Sequence, residues 1–185
     1  MRTLVLVSGA PGSGKSTLAR PLADHLGLPL LSKDGIKEQL HDSLGPLDPD
    51  PFVSSRRFGG AAMDLLWRLA ASCPAVVLEA NFRPGSAYER ARIAELCPAP
   101  VEVHCHCPPE EAARRYADRA RRPDHHAVHP QRSIGPALQA EFPGPVGLGS
   151  VIVVDTTSPL DPVAVAGLVR AALHGPGPRR VTPQG

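Results

Sequence analysis

One stretch decides the fold of this chain: Gly9-Ala10-Pro11-Gly12-Ser13-Gly14-Lys15-Ser16. It contains a glycine, four residues, a second glycine, a lysine and a serine, which is the spacing of a phosphate-binding loop. The preceding run, Thr3-Leu4-Val5-Leu6-Val7, is short, apolar and rich in β-branched residues, and it predicts a buried strand. Behind the loop, a helix is predicted by the four-residue spacing of Leu18, Leu22 and Leu26. The chain therefore places a strand, a glycine-rich turn and a helix N-terminus in succession.

The chemistry of such a loop is the binding of a dense anion. Successive backbone N–H groups in a tight turn form a concave nest, and the helix N-terminus adds partial positive charge. Glycine can take a positive φ and has no Cβ, so the main chain can approach phosphates closely. Lys15 is expected to reach the β- and γ-phosphates, and the Ser16 hydroxyl is expected to ligate Mg²⁺. The residues expected to hold the nucleotide here are Gly9, Ala10, Pro11, Gly12, Ser13, Gly14, Lys15, Ser16 and Thr17.

Composition limits the class of protein. With 185 residues, 42% hydrophobic and 21% charged, the chain is typical of one globular domain. A net charge of +2 is too small to predict nucleic-acid binding from charge alone. The four cysteines show no disulfide framework, and no apolar run approaches the ~20 residues of a membrane span. Met1-Arg2 leads into the first strand without a cleavage site. We therefore expect a cytoplasmic protein with no membrane partner, either a monomer or a homodimer.

Strands and helices are predicted to alternate along the whole chain. Strands are predicted over residues 3–7, up to residue 31 or 32, and over 74–81, 100–107 and 151–155. Helices are predicted behind the loop, from near residue 34, from 54 or 55 to 71, and over 86–96, 108–121, 134–142 and 162–173. Residues 41–53 and 122–136 are expected to be irregular. This alternation predicts an α/β fold in three layers, with a mainly parallel sheet covered on both faces.

Polar residues follow two of the predicted strands at the edge where ligands bind to open α/β sheets. Asp34 follows the second strand, and Lys37 lies one helical turn further on and faces the same way. Glu79, Asn81 and Arg83 follow the third strand. We expect these residues to contact an acceptor substrate. Two alternatives stay open: Asp34 could cap its helix, and Glu79 could hold a water on Mg²⁺.

Arginines are concentrated in the helix predicted over residues 108–121. Arg115, Arg119 and Arg122 recur at four and three residues and so share one face, whereas Arg114 and Arg121 point elsewhere. One interpretation is a lid whose guanidinium groups stabilise charge on a transferring phosphoryl group. The other is a charged surface helix in which Asp118 pairs with Arg114 or Arg122.

Three further features have an interpretation from residue type alone. Arg56 and Arg57 could contact an anionic acceptor, and Trp67 lies close enough to an apolar helical stripe to predict core packing. The strand His104-Cys105-His106-Cys107 alternates its side chains between two faces, which argues against a shared metal site. The loop histidines His125, His126 and His129 are likewise interpreted as loop residues and not as metal ligands.

Taken together, four motifs resemble those of the small P-loop kinases grouped with polynucleotide 5′-kinases, chloramphenicol phosphotransferase and zeta-type toxin kinases. These proteins are also described as AAA-type ATP-binding proteins or predicted kinases. The motifs are the loop at residues 9–16, Ser32-Lys33-Asp34-Gly35-Ile36-Lys37, Glu79-Ala80-Asn81-Phe82, and the arginine-rich helix. The resemblance covers residues 1–174, with a lid over about residues 110–136. Residues 175–185 are expected to form a disordered tail.

The resemblance implies a five-stranded parallel sheet of order 2-3-1-4-5. It also implies that Asp34 accepts the proton of the acceptor hydroxyl. Arg115 and Arg119 match lid arginines that clamp the ATP phosphates, and Thr157 falls in a segment that resembles the adenine-lining loop. The position of Lys37 often grips a phosphate of the acceptor and is usually arginine, whereas lysine is a point charge without a bidentate fork.

The expected function is that of a kinase that uses ATP and Mg²⁺ to phosphorylate a hydroxyl of a small-molecule or nucleotide acceptor. Lys15, Asp34 and Arg119 are the expected catalytic residues, and Lys37, Arg57, Glu79, Asn81 and Arg83 are expected to bind the acceptor with Asp34. One alternative is a polynucleotide 5′-hydroxyl kinase in nucleic-acid repair, supported by the arginine cluster. Another is a nucleotide-binding regulatory ATPase, although no guanine-specificity stretch such as Asn-Lys-x-Asp occurs.

Overall fold

The structure is a computed structural model that describes residues 2–175 and the backbone of residues 180–181. Its strands are β1 (Thr3–Ser8), β2 (Leu30–Ser32), β3 (Ala75–Glu79), β4 (Val101–His106), β5 (Ser150–Asp155) and β6 (Arg180–Val181). Its helices are α1 (Lys15–Leu26), α2 (Lys33–Leu44), α3 (Pro51–Ser72), α4 (Ala87–Leu96), α5 (Pro109–Ala120), α6 (Pro136–Gln139) and α7 (Pro162–His174). None of the described helices has both the length and the apolar character needed to cross a bilayer.

The strands form one parallel sheet of order β2-β3-β1-β4-β5, which confirms the predicted order 2-3-1-4-5. The two-residue strand β6 adds to the β5 edge. The register places Glu79 opposite both Val7 of β1 and Ser32 of β2. Because the strands are parallel, their carboxyl ends meet at one edge of the sheet. The loop after β1, the start of α2 and the end of β3 are therefore neighbours.

Alternation of side chains along β1 divides the core into two layers. Val5 and Val7 face α1 and α7, whereas Leu4 and Leu6 face α3 and α4. These residues are fully buried. Helices thus cover both faces of the sheet, as the strand and helix alternation predicts.

The boundaries around α3 differ from the prediction. Helix α2 continues to Leu44 and α3 begins at Pro51, so the irregular segment predicted over 41–53 shrinks to residues 45–50. The Asp50 side chain accepts hydrogen bonds from the N–H groups of Phe52 and Val53. Proline has no N–H, but at the first helical position an N–H would have no partner within the helix, so proline is tolerated there. The prediction was wrong here because it treated Pro51 as a breaker and not as a helix start.

Two other expectations concern α3 and the tail. Trp67 is buried against Phe82, which confirms its predicted place in the core. Leu69, which the apolar spacing of this helix assigns to the buried face, is 44% exposed. Most of the predicted tail, residues 175–185, lies outside the described residues.

The His-Cys strand follows the predicted alternation. Cys105 lies in the layer with α1 and α7, while the His104 ring points to the other face and is 2.9 Å from the Ser8 hydroxyl. On that face Glu102 is a fully buried carboxylate. It accepts hydrogen bonds from Ser8 and from the backbone N–H groups of Val146 and Gly147. It therefore connects β1, β4 and the loop that leads into β5.

Replacing Leu66 by alanine is expected to lower the free energy of unfolding by about 2–5 kcal/mol, because its side chain is fully buried in the α3 layer. The matched control on the same helix is Leu69→Ala, which is expected to cost less than about 1 kcal/mol because that side chain is half exposed. Urea denaturation of the two variants measures both changes. Equal losses would show that the assignment of the buried face of α3 is incorrect.

Candidate active site

The loop between β1 and α1 has the backbone that phosphate binding requires. Gly12 has φ +83° and Gly14 has φ +86°. A Cβ on Gly12 would lie 2.1 Å from the carbonyl oxygen of Ala112 in α5, so the loop and the predicted lid helix touch through the main chain. Gly14 caps α1 without a side-chain hydrogen bond, and the first turn of α1 has no acidic residue. The Thr17 N–H already bonds to the Gly14 carbonyl oxygen at 3.1 Å, so the N–H groups of Lys15 and Ser16 are the ones that this helix end offers to an anion.

Lys15 lies over this loop. Its side chain is buried, and its Nζ donates a hydrogen bond to the carbonyl oxygen of Ala10 at 2.8 Å. Burial lowers the pKa of Lys15, and the negative charge of Glu79 opposes this effect. The ammonium group is therefore held at the loop by a single backbone acceptor.

The Glu79 carboxylate connects three elements at the sheet edge. One oxygen accepts a hydrogen bond from the Ser16 hydroxyl at 3.1 Å, and the other accepts from the Ser32 hydroxyl at 2.6 Å. Glu79 is 3% exposed. A hydroxyl and a carboxylate beside a phosphate-binding loop are oxygen donors of the kind that a hard cation such as Mg²⁺ prefers. The residues present therefore fit a Mg²⁺ ion bound between the loop and β3.

Asp34 faces the same edge from the first turn of α2. The N-cap of this helix is Ser32, whose hydroxyl accepts from the Gly35 N–H, so Asp34 is not the cap. Lys33 Nζ lies 3.3 Å from the Asp34 carboxylate. Burial raises the pKa of Asp34, but the positive charge of Lys33, together with His129 and Lys15, outweighs it and the pKa falls below its usual value. Asp34 is therefore a carboxylate at neutral pH.

A cavity of about 480 Å³ lies on the α1 side of the loop. Its wall includes Gly12, Lys15, Ser16, Thr17, Arg115, Arg119, Thr156 and Thr157. Arg115 is fixed there, since it donates to the Glu111 carboxylate at 2.6 Å and to the Thr156 carbonyl oxygen at 2.9 Å. The structure thus brings Arg115, Arg119 and Thr157 into one cavity with the loop, whereas Arg122, which was also expected at the nucleotide, does not line it.

The five arginines of the lid differ in their partners. Arg114 and Arg121 form ion pairs with Asp118, which confirms the predicted pair of Asp118 with Arg114; Arg121, and not the other predicted candidate Arg122, is the second partner. The others with an acidic partner are Arg115, paired with Glu111, and Arg122, paired with Asp124. Among the residues that the structure describes, no carboxylate oxygen lies within 4.0 Å of the Arg119 guanidinium. Its charge is therefore free for a ligand.

A second cavity, of about 550 Å³, lies on the other side of the loop, and we call it the acceptor cavity. Its wall includes Lys15, Ser16, Asp34, Lys37, Arg56, Glu79, Asn81, Arg83 and Arg119. Lys37 is 6% exposed and donates to the Ser55 hydroxyl at 2.8 Å. Burial, with a smaller effect from the charge of Lys33, lowers the pKa of Lys37 to about 8.

Two expected contacts differ in detail from the sequence expectation. Arg57 does not line this cavity but points to the loop before α3, where it donates to the Leu47 carbonyl oxygen and lies 3.8 Å from Asp48. Arg83 does line the cavity, yet its guanidinium is bound to Glu141 at 2.6 Å and lies over the Phe142 ring. Arg83 therefore builds the wall of the cavity. In both cases the arginine is drawn to a nearby carboxylate that no sequence motif indicates, Asp48 for Arg57 and Glu141 for Arg83.

The lid loop after α5 is bonded to α2. His126 lies 2.9 Å from Asp42, and His129 lies 3.0 Å from Glu38. His129 also reaches the acceptor cavity, where its Nδ1 is 3.5 Å from Lys37 Nζ. Sequence reasoning missed His129 and Ser55 as site residues. No motif surrounds them, and only their distance to Lys37 in the folded chain reveals them.

Comparison with known proteins agrees with this architecture. Residues 4–141 match a protein family described as an AAA domain. A crystal structure from Chloroflexus aurantiacus, provisionally assigned as a kinase, is 32% identical with a TM-score of 0.74, and the match covers 94% of this chain and 99% of that one. The adenosine 5′-phosphosulfate (APS) kinase CysC of Mycobacterium tuberculosis, solved with AMPPNP and APS, is 21% identical with a TM-score of 0.53. That match covers 94% of this chain and 98% of that one and shows a shared fold.

A sequence relative supports the same grouping over a shorter stretch. The cytidylate kinase of Ignicoccus hospitalis is 46% identical over 43 residues, which are 23% of this chain and 25% of that protein. The family match, by contrast, spans most of the sheet and the lid. The chain belongs to this AAA-domain family and has the fold of the P-loop kinases.

Proposed function

We propose that this protein is an ATP-dependent phosphotransferase that moves the γ-phosphate of ATP to a hydroxyl group of a small acceptor. The observation that carries the proposal is the meeting of two cavities at the phosphate-binding loop. Lys15, Ser16 and Arg119 line both cavities. A phosphoryl group held by these residues faces the nucleotide on one side and an acceptor on the other.

The nucleotide would occupy the cavity on the α1 side. Its phosphates bind the N–H groups of the loop and of the uncapped end of α1, and Lys15 exchanges its bond to Ala10 for the β- and γ-phosphates. Arg115 and the segment around Thr157 lie where the rest of the nucleotide would extend. Arg119, which has no acidic partner among the described residues, supplies positive charge to the transferring group.

Mg²⁺ fits beside these phosphates, with Ser16 as the ligand and Glu79 as its neighbour. When bound, such an ion neutralises phosphate charge and orients the oxygens of the triphosphate. Glu79 accepts a hydrogen bond from the Ser16 hydroxyl at 3.1 Å and so orients this hydroxyl. Ser32 holds the other carboxylate oxygen and so fixes the direction in which Glu79 faces.

The acceptor hydroxyl would bind at Asp34. Asp34 orients the hydroxyl and accepts its proton while the acceptor oxygen forms a bond to the γ-phosphorus and the bond to the leaving ADP oxygen breaks. The lowered pKa of Asp34 keeps this carboxylate ionised at neutral pH, so it can accept a hydrogen bond from the acceptor hydroxyl and orient it. Lys37 and Asn81 are the further acceptor contacts that we propose. An acceptor cavity built beside the loop favours a kinase over a regulatory ATPase, which needs no such cavity.

Replacing Lys15 by alanine is expected to abolish turnover of ATP, since the loop loses the only buried cation that lies over it among the described residues. The measurement is the release of labelled ADP from labelled ATP in the presence of Mg²⁺ and an acceptor mixture. Arg20→Ala, an exposed cation on the same helix, is the control and should keep normal turnover. Unchanged turnover in Lys15→Ala would contradict the assigned nucleotide site.

Replacing Asp34 by asparagine is expected to leave ATP affinity unchanged and to lower phosphoryl transfer by about 10²-fold or more, the range for loss of a general base. Asp24→Asn changes an exposed aspartate on α1 and controls for the loss of one negative charge. Calorimetry measures ATP binding, and a screen of acceptors with labelled ATP measures transfer. Normal transfer by Asp34→Asn would show that another group accepts the proton.

Replacing Glu79 by glutamine is expected to raise the Mg²⁺ concentration for half-maximal activity by about tenfold or more, because the neighbour that orients Ser16 loses its charge. The control is Glu95→Gln, an exposed carboxylate on α4. A Mg²⁺ titration of activity at fixed ATP distinguishes the two. An unchanged midpoint in Glu79→Gln would place the ion away from β3.

A further inference from the structure

Two histidines from distant parts of the chain meet beside one carboxylate. His41 and Asp42 belong to the last turns of α2, and His126 belongs to the lid loop after α5. None of the three lines either of the two cavities that meet at the phosphate-binding loop. Each side chain offers a ring nitrogen or a carboxylate oxygen, and these three atoms all lie within 4.8 Å of one another. Imidazole nitrogens and a carboxylate oxygen are a ligand set that zinc and related divalent metals bind.

The spacing of the three atoms suits one shared ion. His126 Nε2 lies 2.9 Å from Asp42 Oδ1, and His41 Nδ1 lies 3.8 Å from the same oxygen. Zinc binds nitrogen and oxygen ligands at about 2.0–2.2 Å, so two ligands at a tetrahedral angle are about 3.4 Å apart. The two distances lie on either side of this value. The Asp42 side chain is 57% exposed, so it can rotate toward an ion, and a water can complete the coordination.

The His41 ring shows that the cluster is more than one ion pair. Its Nδ1 is buried, and among the residues that the structure describes it has no hydrogen-bond partner. The 3.8 Å contact with Asp42 is too long for a hydrogen bond. Edge-on packing against Phe58, with 5.5 Å between the ring centroids, holds the ring in place. In the tautomer with its proton on Nε2, the ring directs an unused lone pair of Nδ1 into the cluster, and a metal ion would use it.

The other two histidines of the lid loop have partners elsewhere. His125 Nε2 lies 2.9 Å from the His129 carbonyl oxygen, and His129 Nε2 lies 3.0 Å from Glu38. His126 is the loop histidine that completes the cluster with α2. Its contact with Asp42 joins residues 84 positions apart, so the sequence of the loop alone does not indicate these ligands.

Two features oppose metal binding, and both are small. His126 Nδ1 accepts the Val128 N–H at 3.1 Å, which places the ring proton on Nε2. A metal at Nε2 needs the other tautomer and so gives up the bond to Val128. Lys37 lies one turn before His41 and adds like charge, although its Nζ is directed to the Ser55 hydroxyl at 2.8 Å. One neutral hydrogen bond contributes little compared with the coordination of zinc by three ligands.

We propose that His41, Asp42 and His126 form a binding site for a divalent transition metal of the zinc class, which ties the lid loop to α2. Nitrogen ligands favour Zn²⁺ and Co²⁺ over Mg²⁺, which is bound through oxygens. The site is separate from the Mg²⁺ site proposed at Ser16, and it does not depend on the phosphotransferase function. Because its ligands come from two elements, a bound ion stabilises the contact between them.

Metal binding is measured on the full chain without an affinity tag, after a chelator has removed metals and in the absence of nucleotide. Calorimetry with ZnCl₂ should show one strong site per chain, which a large excess of Mg²⁺ does not displace. Co²⁺ should give the visible absorption of nitrogen and oxygen ligands without a thiolate charge-transfer band. A thiolate band would place the ion on the free cysteines and overturn the proposal, as would the absence of zinc binding.

Three substitutions test the ligands one at a time. Asp42→Asn keeps the shape of the side chain, His126→Asn removes the loop ring, and His41→Phe keeps a ring against Phe58 but removes its nitrogens. Each should lower the affinity for zinc by about tenfold to a hundredfold or more. His25→Asn, at an exposed histidine of α1, should leave the affinity unchanged. Unchanged affinity in any of the three variants would overturn the three-ligand site, and exposed Asp42 provides a test even where a ring substitution disturbs folding.

Hydrogen exchange tests whether the ion ties the lid loop to α2. Saturating Zn²⁺ should slow amide exchange in residues 122–130 of the unmodified protein by about tenfold or more. The same addition should have no effect on this loop in His41→Phe, although the substitution lies outside the loop. Equal slowing in both proteins, or bound zinc without slowing in the unmodified one, would contradict a tie through His41.

Discussion

The buried carboxylate of Glu79 is the interaction on which the geometry of this site depends. It lies at the end of β3, and its two oxygens accept hydrogen bonds from Ser16 at the start of α1 and from Ser32 at the end of β2. A buried carboxylate is tolerated only when donors and positive charge surround it. The two hydroxyls and the charge of Lys15 provide them here. One side chain thus fixes the phosphate-binding loop relative to the helix that carries Asp34.

The lid is connected to both halves of the site by different forces. Toward the nucleotide cavity, the backbone of α5 packs on Gly12, and Arg115 bonds to the Thr156 carbonyl oxygen. Toward the acceptor cavity, His126 and His129 reach carboxylates of α2. The lid therefore touches the elements that would bind each substrate, which is the arrangement needed to exclude water from the transferring group.

The positively charged side chains of the site differ in whether they have an acidic partner. Four lid arginines have acidic partners, whereas Arg119 and Lys37 have none within 4.0 Å among the described residues. Exposed ion pairs contribute little to stability. Lys37 is buried, so its charge is costly without a counterion, whereas Arg119 is exposed on the lid and its charge is available to a ligand.

The order of strands and helices along the chain could be predicted from the local sequence. The spacing of residues 9–16 between an apolar strand and a helix predicted a phosphate-binding loop, and Gly12 and Gly14 have the positive φ that this loop uses. The same holds for the alternation of β1 and of the His-Cys strand, since side-chain direction follows from strand geometry. The start of α3 was missed because Pro51 is compatible with both a break and a helix N-terminus.

Only the tertiary structure decided which of the predicted residues act together. Arg57 and Arg83 pair with carboxylates that lie far from any motif. Asp118 pairs with Arg114 and Arg121, and among the described residues its helix neighbour Arg119 has no carboxylate oxygen within 4.0 Å, since adjacent positions on a helix do not face each other. The neighbours of Lys37 come from α3 and from the lid loop, 18 and 92 residues away. Periodicity and motifs describe contacts within a few residues. The partner of a charge depends on where the sheet and its crossovers bring distant segments together.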